Sequence, residues 1–385
     1  MTTDLYNIFA QLPAQHIEFS AQFRSFLETQ LGESIDAHWL NGTFPHNFVR
    51  PLGQFLHTHF PEEYRFPPVD SLPFRIMKLE LGRFDPSMAS FFAVHWGLAM
   101  GSIAMFGSEQ QKNQWLPAMK SFQKIGSWAL TEPLSGSDAA SGLQTIATKT
   151  EQGWVLSGEK KWSGNASIAD VIVIWARESD SRRMLGFLVE PHMPGVQIEL
   201  LHDKIAKRAM ENVLIRLDRV QLSEDQRLPH VEAFSHVSKQ LIHGRVAVAW
   251  EALGIAIGVF EKALEYSTQR IQFGKPLAAK QLIQEKLVDM SEEITCMQAL
   301  LWTLQQHEQH APISSAQASL AKRACGRRAR KVCQLARAVL GGNGILLSYG
   351  VARLFADMEA VFSYEGTDEI NTLIVGRSLT GVSAF

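Results

Sequence analysis

Two loops of the sequence carry residue types that can hold an anion or a planar ligand. The loop TEPLSGSD (131–138) combines Pro133, Gly136 and short hydroxyl side chains, so it can turn sharply and present N–H and hydroxyl groups. In GEKKWSGN (158–165), Trp162 ends a strand-like run, where an indole can stack on a flat cofactor. Spacing alone favours the ordinary interpretations, which are a polar turn and an indole that covers the core of a sheet.

Two later segments suit phosphate binding and close approach to backbone. In RIQFGKPLAAKQ (270–281), Arg270 and Lys275 flank a turn between helical stretches and can hold phosphates, although a corner with solvated cations has the same pattern. In LGGNGI (340–345), adjacent glycines after a helix let a ligand approach the backbone. A common helix C-cap has that pattern too.

A fifth segment, SYEGTDEI (363–370), contains a candidate base. Glu365 stands just before the apparent start of the last helix, where Asp368 and Glu369 suit the first turn. A lone glutamate is usually exposed to solvent. Only its context makes Glu365 a candidate for proton transfer.

Other kinds of chemistry are disfavoured. The chain has no GxGxxG, Walker-type or GxSxG spacing, and its histidines stand at no zinc-ligand spacing, so we expect no metal. Residues 322–337 (KRACGRRARKVCQLAR) include seven cations, but 37 Lys+Arg against 39 Asp+Glu give a net charge of −2. This balance favours a solvated helix face or a subunit contact over nucleic-acid binding.

The predicted location is cytoplasmic, without a membrane span. The N-terminus lacks a basic stretch followed by an apolar one, and the three cysteines form no paired framework. Residues 86–108 are long enough to span a membrane. Their richness in Ala, Gly and Ser and their histidine favour a buried core helix.

Three zones differ in periodicity and predict three domains in a mainly α protein with a β middle domain. Residues 1–125 show helical spacing with Gly/Pro punctuation. Residues 126–228 contain short β-branched or aromatic runs separated by turn residues. Long helical periodicity returns in residues 229–385. Strands segregated from helices argue against a doubly wound α/β fold.

Taken together and in this order, TEPLSGSD, the KKW turn, RIQFGKP, LGGNG and YEGT resemble the acyl-CoA dehydrogenase superfamily. The match runs from about Leu79 to Phe385. It is closest to the glutaryl-CoA dehydrogenase branch and to plant peroxisomal short-chain acyl-CoA oxidases, most clearly in SYEGTDEINTLIVGRSLTG. The resemblance implies an N-terminal helical domain, a β-barrel-like middle domain and a C-terminal four-helix bundle. It also implies FAD as cofactor and a homotetramer built from dimers, or a homodimer.

The resemblance implies roles for particular residues. Contacts along the flavin and the thioester entry would be Leu130, Thr131, Gly136 and Ser137, and contacts with the isoalloxazine would be Trp162, Ser163 and Gly164. The diphosphate and adenosine of FAD would be held across a subunit interface by Arg270, Phe273, Gln281, Ala338, Gly341 and Gly342. Near the last helix, FAD would contact Thr367 and Glu369. The substrate contacts would be Ser137, Arg245, Tyr364 and Gly366. Glu365 matches the catalytic base.

The implied reaction is α,β-dehydrogenation of an acyl thioester. Glu365 takes the α-proton while the β-hydride passes to flavin N5, and the base's own backbone N–H helps to stabilise the developing enolate oxygen. Preorganised donors of this kind supply about 3–4 kcal/mol each. Some branches place the base just before the arginine that matches Arg245, but here that residue is Gly244.

Three departures from the family pattern bear on the substrate and the electron acceptor. Ala89 and Gly82 stand where the glutaryl-CoA branch has an arginine and a glutamate, so a neutral, short or compact acyl group is expected, with Phe91, Phe92 and Trp96 able to crowd its pocket. Gly164 replaces a threonine whose hydroxyl bonds near N5. The extra space suggests O2 as acceptor instead of, or beside, an electron-transfer flavoprotein.

The third departure is FPEEYRFPPVDSL (60–72), which replaces a glycine-rich loop at the pocket mouth. It leaves CoA and a carrier protein as alternative thioester carriers, and residues 322–337 could then face an acidic carrier. Two rival functions on this scaffold are a non-catalytic flavoprotein and a flavin monooxygenase.

Overall fold

Helices make up the first domain of the computed structural model, which describes residues 3–32, 34–60 and 71–384. They are α1 (Ala14–Leu31), α2 (Ile35–Asn41), α3 (Val49–His59), α4 (Leu72–Phe84), α5 (Pro86–Phe92), α6 (Gly101–Phe106) and α7 (Glu109–Lys120). A π-helical segment, Ala93–Met100, joins α5 to α6 in one rod. The predicted replacement of the glycine-rich loop lies largely in residues 61–70, outside the described residues.

The rod Pro86–Phe106 is long and apolar enough to cross a membrane by length and composition, but 61% of its most apolar window is buried inside the protein. Phe91, Phe92 and Trp96 are at most 1% exposed and pack in an aromatic core. Phe92, for example, stacks on Trp96 with ring centroids 5.6 Å apart. The expectation that these three rings crowd a substrate pocket was therefore wrong, because the core already encloses them.

The middle domain is a curled sheet. Its strands are β1 (Gly126–Ala129), β2 (Ile146–Thr150), β3 (Gly153–Gly164), β4 (Val171–Glu178), β5 (Met184–Val189), β6 (Val196–Leu200) and β7 (Asn212–Leu222). The order is β1-β4-β2-β3-β7-β6, and β5 pairs with β4. β1 and β2 run parallel to β4, and the other pairs are antiparallel. Every residue of β4 from Val171 to Ala176 is buried, as expected of a strand covered on both faces.

The last domain returns to helices, as the periodicity predicted. They are α8 (Phe234–Gln269), α9 (Gln281–Glu308), α10 (Ser315–Val339), α11 (Val351–Ser363) and α12 (Asp368–Thr380). A small hairpin of β8 (Ile271–Gln272) and β9 (Lys275–Pro276) separates α8 from α9. The apolar faces of the helices in this domain pack into one core that includes Trp250, Met297 and Cys333. The predicted fold class, mainly α with a β middle domain, is confirmed.

Candidate functional site

Glu365 lies in the loop between α11 and α12, in the left-handed backbone region with φ 53°. That conformation is costly for a residue with a side chain, and strained residues of this kind cluster at active sites. The Glu365 carboxylate faces Gly244 of α8, because a Cβ atom built on Gly244 would lie 2.7 Å from Glu365 Oε2. Oε2 is buried and has no hydrogen-bond partner in the part of the chain that the structure describes. Gly244, which stands at the alternative position for the base, has no side chain and therefore leaves room for the Glu365 carboxylate.

The surroundings of Glu365 favour the uncharged carboxyl. Burial raises the pKa of Glu365 above its ordinary value, although the positive charges of Arg245, Lys322 and Lys78 oppose the shift. Arg245 is 7% exposed and donates from Nη1 to Ser315 Oγ at 3.2 Å. Its buried Nε has no partner among the described residues. Glu365 and Arg245 thus present unsatisfied polar atoms in one region, as expected of groups that await a substrate.

Lys322 fixes the loop between α11 and α12 that carries Glu365. Its ammonium donates to the carbonyl oxygens of Phe362 at 2.8 Å and Gly366 at 2.7 Å, and Asn371 Nδ2 also donates to Gly366 at 2.8 Å. Burial lowers the pKa of Lys322 to about 8. Thr367 accepts from the N–H of Ile370 at 3.3 Å and caps α12. Sequence reasoning counted Lys322 among surface cations and missed this role.

The other cations of α10 are largely paired within the chain. Asp368 accepts from Arg327, Glu293 pairs with Arg328 and Lys331, and Arg330 bonds to Glu359 at 2.7 Å. A face whose charges are matched in this way offers less attraction to a polyanion or an acidic carrier than its sequence suggests.

The TEPLSGSD loop is anchored by a buried ion pair. Lys160 Nζ donates to Glu132 Oε1 at 2.8 Å and to the Leu130 carbonyl at 3.0 Å. The Glu132 carboxylate also accepts from the N–H groups of Gln144 and Thr145 at 2.6 and 2.9 Å. Beyond this anchor Gly136 and Ser137 are exposed and Thr131 is half-buried. Thr131, Gly136 and Ser137, which are predicted to contact the flavin, thus belong to a loop that this buried ion pair holds in place.

Trp162 protrudes from the end of β3. The β3–β7 register slips between Lys161 and Ser163, so Trp162 is the extra residue of a β-bulge, with φ 67° and an indole 53% exposed. Bulges of this kind commonly re-aim a side chain beside an active site. Ser163 Oγ is buried and finds no partner among the residues described.

Gly164 does not leave the open space that the sequence suggested. A Cβ atom at Gly164 would lie 2.1 Å from Met210 Cε, so the thioether side chain of Met210 already fills this volume. Ser127 Oγ donates to the Gly164 carbonyl at 2.7 Å and Asn165 Nδ2 donates to that of Phe91 at 2.9 Å, which fixes the turn.

The residues predicted to hold the diphosphate and adenosine lie far from Glu365 in the same chain. Arg270 follows the end of α8, 26 positions after Gly244, which corresponds to about 39 Å along a helix. Phe273 at the hairpin tip is 94% exposed, and a Cβ atom on Gly341 or Gly342 would meet nothing within 4 Å. Gln281 and Ala338 are exposed as well, and so is Glu369, which belongs to the other group, four positions after Glu365. The fold therefore separates the predicted FAD contacts into two groups.

Tyr364, predicted to contact the substrate, directs its hydroxyl elsewhere. The hydroxyl donates to Glu251 Oε1 at 2.8 Å and accepts from Lys207 Nζ at 2.6 Å. Lys78 pairs with the other oxygen of Glu251 at 2.7 Å. Nothing in the sequence pattern linked these four residues, because up to 286 positions separate them (364 − 78).

These features fit a flavin site. The exposed indole at a bulge, the orphaned Ser163 Oγ and the buried, unsatisfied carboxylate of Glu365 form a set that a planar ring and a thioester would complete. A β domain between two helical domains, together with the motifs that resemble the acyl-CoA dehydrogenase superfamily, indicates a flavin-dependent oxidoreductase of the acyl thioester class.

Comparisons with known proteins place the chain more narrowly. Models of the acyl-CoA dehydrogenase N-terminal, middle and C-terminal domains match residues 13–123, 127–220 and 234–380. The mitochondrial short-chain specific acyl-CoA dehydrogenase of Bos taurus is 30% identical, over 96% of this chain and 91% of the bovine protein. The chain belongs to the acyl-CoA dehydrogenase family, which confirms the resemblance.

Two solved structures are similar over the whole chain. Glutaryl-CoA dehydrogenase from Mycobacterium smegmatis shares 35% identity with a TM-score of 0.93, covering 100% of this chain and 99% of that one. A second glutaryl-CoA dehydrogenase structure from the same organism, in complex with FADH2, shares 32% identity with a TM-score of 0.94 at the same coverage. Members of this family bind FAD, so the predicted cofactor is confirmed for the family.

Proposed function

We propose that the chain catalyses FAD-dependent α,β-dehydrogenation of a short or compact acyl-CoA, with Glu365 as the base. The observation that carries this proposal is the unpartnered, buried Glu365 Oε2 against Gly244, at the end of a loop fixed by Lys322 and Asn371. A carboxylate whose pKa is raised and whose oxygen lacks a partner is suited to accept a proton from carbon.

The residues of the chain divide the work as follows. Glu365 accepts the α-proton, and its backbone N–H supports the negative charge that develops on the thioester oxygen. Thr131, Trp162 and Ser163 bind and orient the isoalloxazine, which when bound supplies the acceptor for the β-hydride. Arg245, close enough to Glu365 to oppose its pKa shift, orients the thioester or the ionised base.

The acyl group that fits is neutral and short. Ala89, at the place of the glutarate-binding arginine, is fully buried, and its carbonyl accepts from Lys78 at 2.8 Å. A side chain on Gly82 would collide with the Glu251 carbonyl, 2.5 Å from its Cβ position, so a glutamate cannot stand there. Val94 lies beside Gly164 on the π-helical segment and offers an apolar wall instead. Anaerobic flavin reduction should be faster with butyryl-CoA than with glutaryl-CoA, and the reverse order would contradict this substrate class.

CoA suits the thioester carrier better than an acidic carrier protein does. The support is that most cations of α10 are neutralised by Asp368, Glu293 and Glu359. A carrier-bound acyl group is the alternative, and a comparison of the same acyl chain on CoA and on a carrier protein decides between them.

An electron-transfer flavoprotein suits the role of electron acceptor better than O2 does, because Met210 fills the space beside Gly164 that O2 would need. Stopped-flow mixing of the reduced enzyme with air separates the two acceptors. Reoxidation over many minutes supports the dehydrogenase, whereas reoxidation within seconds with formation of peroxide supports the oxidase. Faster reoxidation of Met210→Ala would identify Met210 as the barrier.

A homodimer, which can pair further into a tetramer, completes the FAD site in this proposal. The support is the exposure of Arg270, Phe273, Gln281 and the Gly341–Gly342 turn, about 39 Å along α8 from the Gly244 that Glu365 faces. A cytoplasmic location suits the three cysteines, all of them free thiols.

Glu365→Gln tests the reaction. The variant should keep the flavin absorbance of the wild type, while bleaching of the flavin by butyryl-CoA under anaerobic conditions should slow by a factor of about 10²–10⁴. Glu359→Gln is a matched control, because it removes a nearby carboxylate that pairs with Arg330 and does not face Gly244. Unchanged bleaching in Glu365→Gln would exclude Glu365 as the base, whereas a wild-type flavin that no acyl-CoA bleaches would favour the monooxygenase or a non-catalytic flavoprotein.

A further inference from the structure

The loop between β6 and β7, residues 201–211, contacts both halves of the proposed active site. Near its end, the side chain of Met210 packs against Gly164, in the turn that follows Trp162. Three residues earlier, Lys207 donates to the hydroxyl of Tyr364, the residue that precedes Glu365. One short segment therefore spans from the predicted flavin turn to the base.

The ammonium group of Lys207 is enclosed by acceptors. Its Nζ lies 2.5 Å from Glu251 Oε1, 2.6 Å from both Tyr364 Oη and Ser90 Oγ, and 2.7 Å from the Pro86 carbonyl. Lys207 is 4% exposed and Glu251 is fully buried. An ammonium has three N–H donors, so four acceptors leave Lys207 no capacity to bind a substrate directly. Its contacts are with the framework of the site.

The backbone of Lys207 is strained in the same way as that of Glu365. Its φ is 49°, and its N–H donates to Asp357 Oδ1 at 2.5 Å. Such a conformation is unfavourable for a residue with a side chain and persists only where the surrounding structure imposes it. Two strained residues, Lys207 and Glu365, are thus linked through a single side chain, that of Tyr364.

Contacts within the loop keep the two ends at a fixed separation. Lys204 Nζ donates to the carbonyl oxygens of Lys207 at 3.0 Å and Met210 at 2.5 Å, and to Asn212 Oδ1 at 2.8 Å. On the far side, Arg208 donates to the carbonyls of Trp39 and Leu40 in α2 at 3.0 and 2.9 Å. The segment is therefore braced internally and against the N-terminal domain.

We propose that the 201–211 loop sets the spacing between the flavin turn and the base, and that Lys207, acting through Tyr364, is the positioning residue for Glu365. This inference rests on the proposed function. Proton removal from the α-carbon and hydride loss from the β-carbon take place on opposite sides of one substrate. Their geometry therefore depends on the distance between Gly164 and Glu365, and misplacement by a fraction of an ångström slows such a step severalfold or more.

Tyr364→Phe is the mildest test, because it removes only the hydroxyl and leaves Lys207 paired with Glu251. We expect the limiting rate of anaerobic flavin reduction to fall about tenfold, with the apparent dissociation constant of butyryl-CoA and the affinity for FAD unchanged. Exchange of the α-hydrogens of butyryl-CoA in D2O, which needs the base alone, should fall in parallel. A purely structural role would lower thermal stability or FAD affinity without this selective loss of rate.

Lys207→Met and the double variant Lys207→Met/Tyr364→Phe complete a mutant cycle. Because both changes break the same contact, the double variant should be no slower than Lys207→Met alone. Arg216→Met is the matched control, since it breaks exposed ion pairs with Glu159 and Glu199 on β7, outside the loop, and should reduce flavin at the wild-type rate.

The outcomes separate this inference from the function on which it rests. If the wild type reduces its flavin with butyryl-CoA and Tyr364→Phe does so at the same rate, the positioning role is wrong and the function stands. If Lys207→Met and Tyr364→Phe lose rate independently, so that their effects multiply, the proposed route through Tyr364 is wrong. If no acyl-CoA reduces the wild-type flavin, the proposed function fails, and the inference fails with it.

Discussion

Replacing Gly244 with alanine would place a methyl group against the carboxylate of Glu365. The added Cβ atom would lie 2.7 Å from Oε2, 2.9 Å from Cδ and 3.1 Å from Oε1. Ordinary van der Waals contact begins at 3.4 Å, so Oε2 would have to move by 0.7 Å (3.4 − 2.7). Displacement of a reacting group by about 1 Å slows a reaction roughly 10²-fold. We therefore expect Gly244→Ala to slow flavin reduction by about 10- to 100-fold, or about 1.4–2.7 kcal/mol of barrier.

The stability of the same variant should not fall. Gly244 lies inside α8, where alanine is favoured over glycine by about 1 kcal/mol. The three atoms nearest to the added Cβ all belong to the end of the Glu365 side chain, which can move. Activity and stability should therefore separate, whereas a variant that damages the fold would lose both.

Stopped-flow bleaching of the flavin by butyryl-CoA without oxygen gives the limiting rate, and urea unfolding gives the stability. Gly376→Ala is the matched control, because Gly376 lies inside α12 and a Cβ atom there would meet nothing within 4 Å. It should gain a similar helix propensity and keep its rate. A wild-type rate in Gly244→Ala would refute the placement of the Glu365 carboxylate during the reaction.

Two further predictions concern pH and the buried ion pair. Since burial raises the pKa of Glu365, flavin reduction should decline on acidification at a pH above the ordinary carboxyl range, as a pH profile of the limiting rate would show. Because the pKa of Glu365 is raised in the folded state, its protonated carboxyl contributes stability that is lost as pH rises through that pKa. Glu365→Gln should therefore gain thermal stability relative to the wild type as pH increases. A difference in melting temperature between the two proteins that stays the same at all pH values would contradict this. Lys160→Met leaves Glu132 with only its N–H partners and should cost about 3 kcal/mol in urea unfolding. Lys161→Met, its more exposed neighbour, should cost less than about 1 kcal/mol, and equal losses would refute the role of the pair.

The sequence predicted the parts of the fold that depend on local periodicity. Changes from helical spacing to short β-branched runs and back indicated the order of the domains, and the helical pattern of 238–269 indicated most of α8. Glu365 could be singled out because its motif closes an ordered set. Its strained backbone and its contact with Gly244 depend on α8 and the last loop meeting in space, which no local pattern encodes.

Several side chains were misjudged because burial is a tertiary property. Lys322 has the sequence context of a surface cation but is 2% exposed beneath the loop of the base. Gly164 suggested a void, yet Met210 fills that volume from a different segment. Phe92 and Trp96 were expected to crowd a substrate pocket, but they pack on each other in the core.

The length of α8 has a consequence for how the holoenzyme forms. Arg270, just after the end of this 36-residue helix, lies about 39 Å along it from the Gly244 that Glu365 faces. In the proposed dimer each cofactor is then shared between subunits, so cofactor retention and subunit association are thermodynamically linked. Dilution should release flavin, and added FAD should favour association. The cell could therefore adjust the amount of active enzyme through flavin supply as well as through synthesis of the chain.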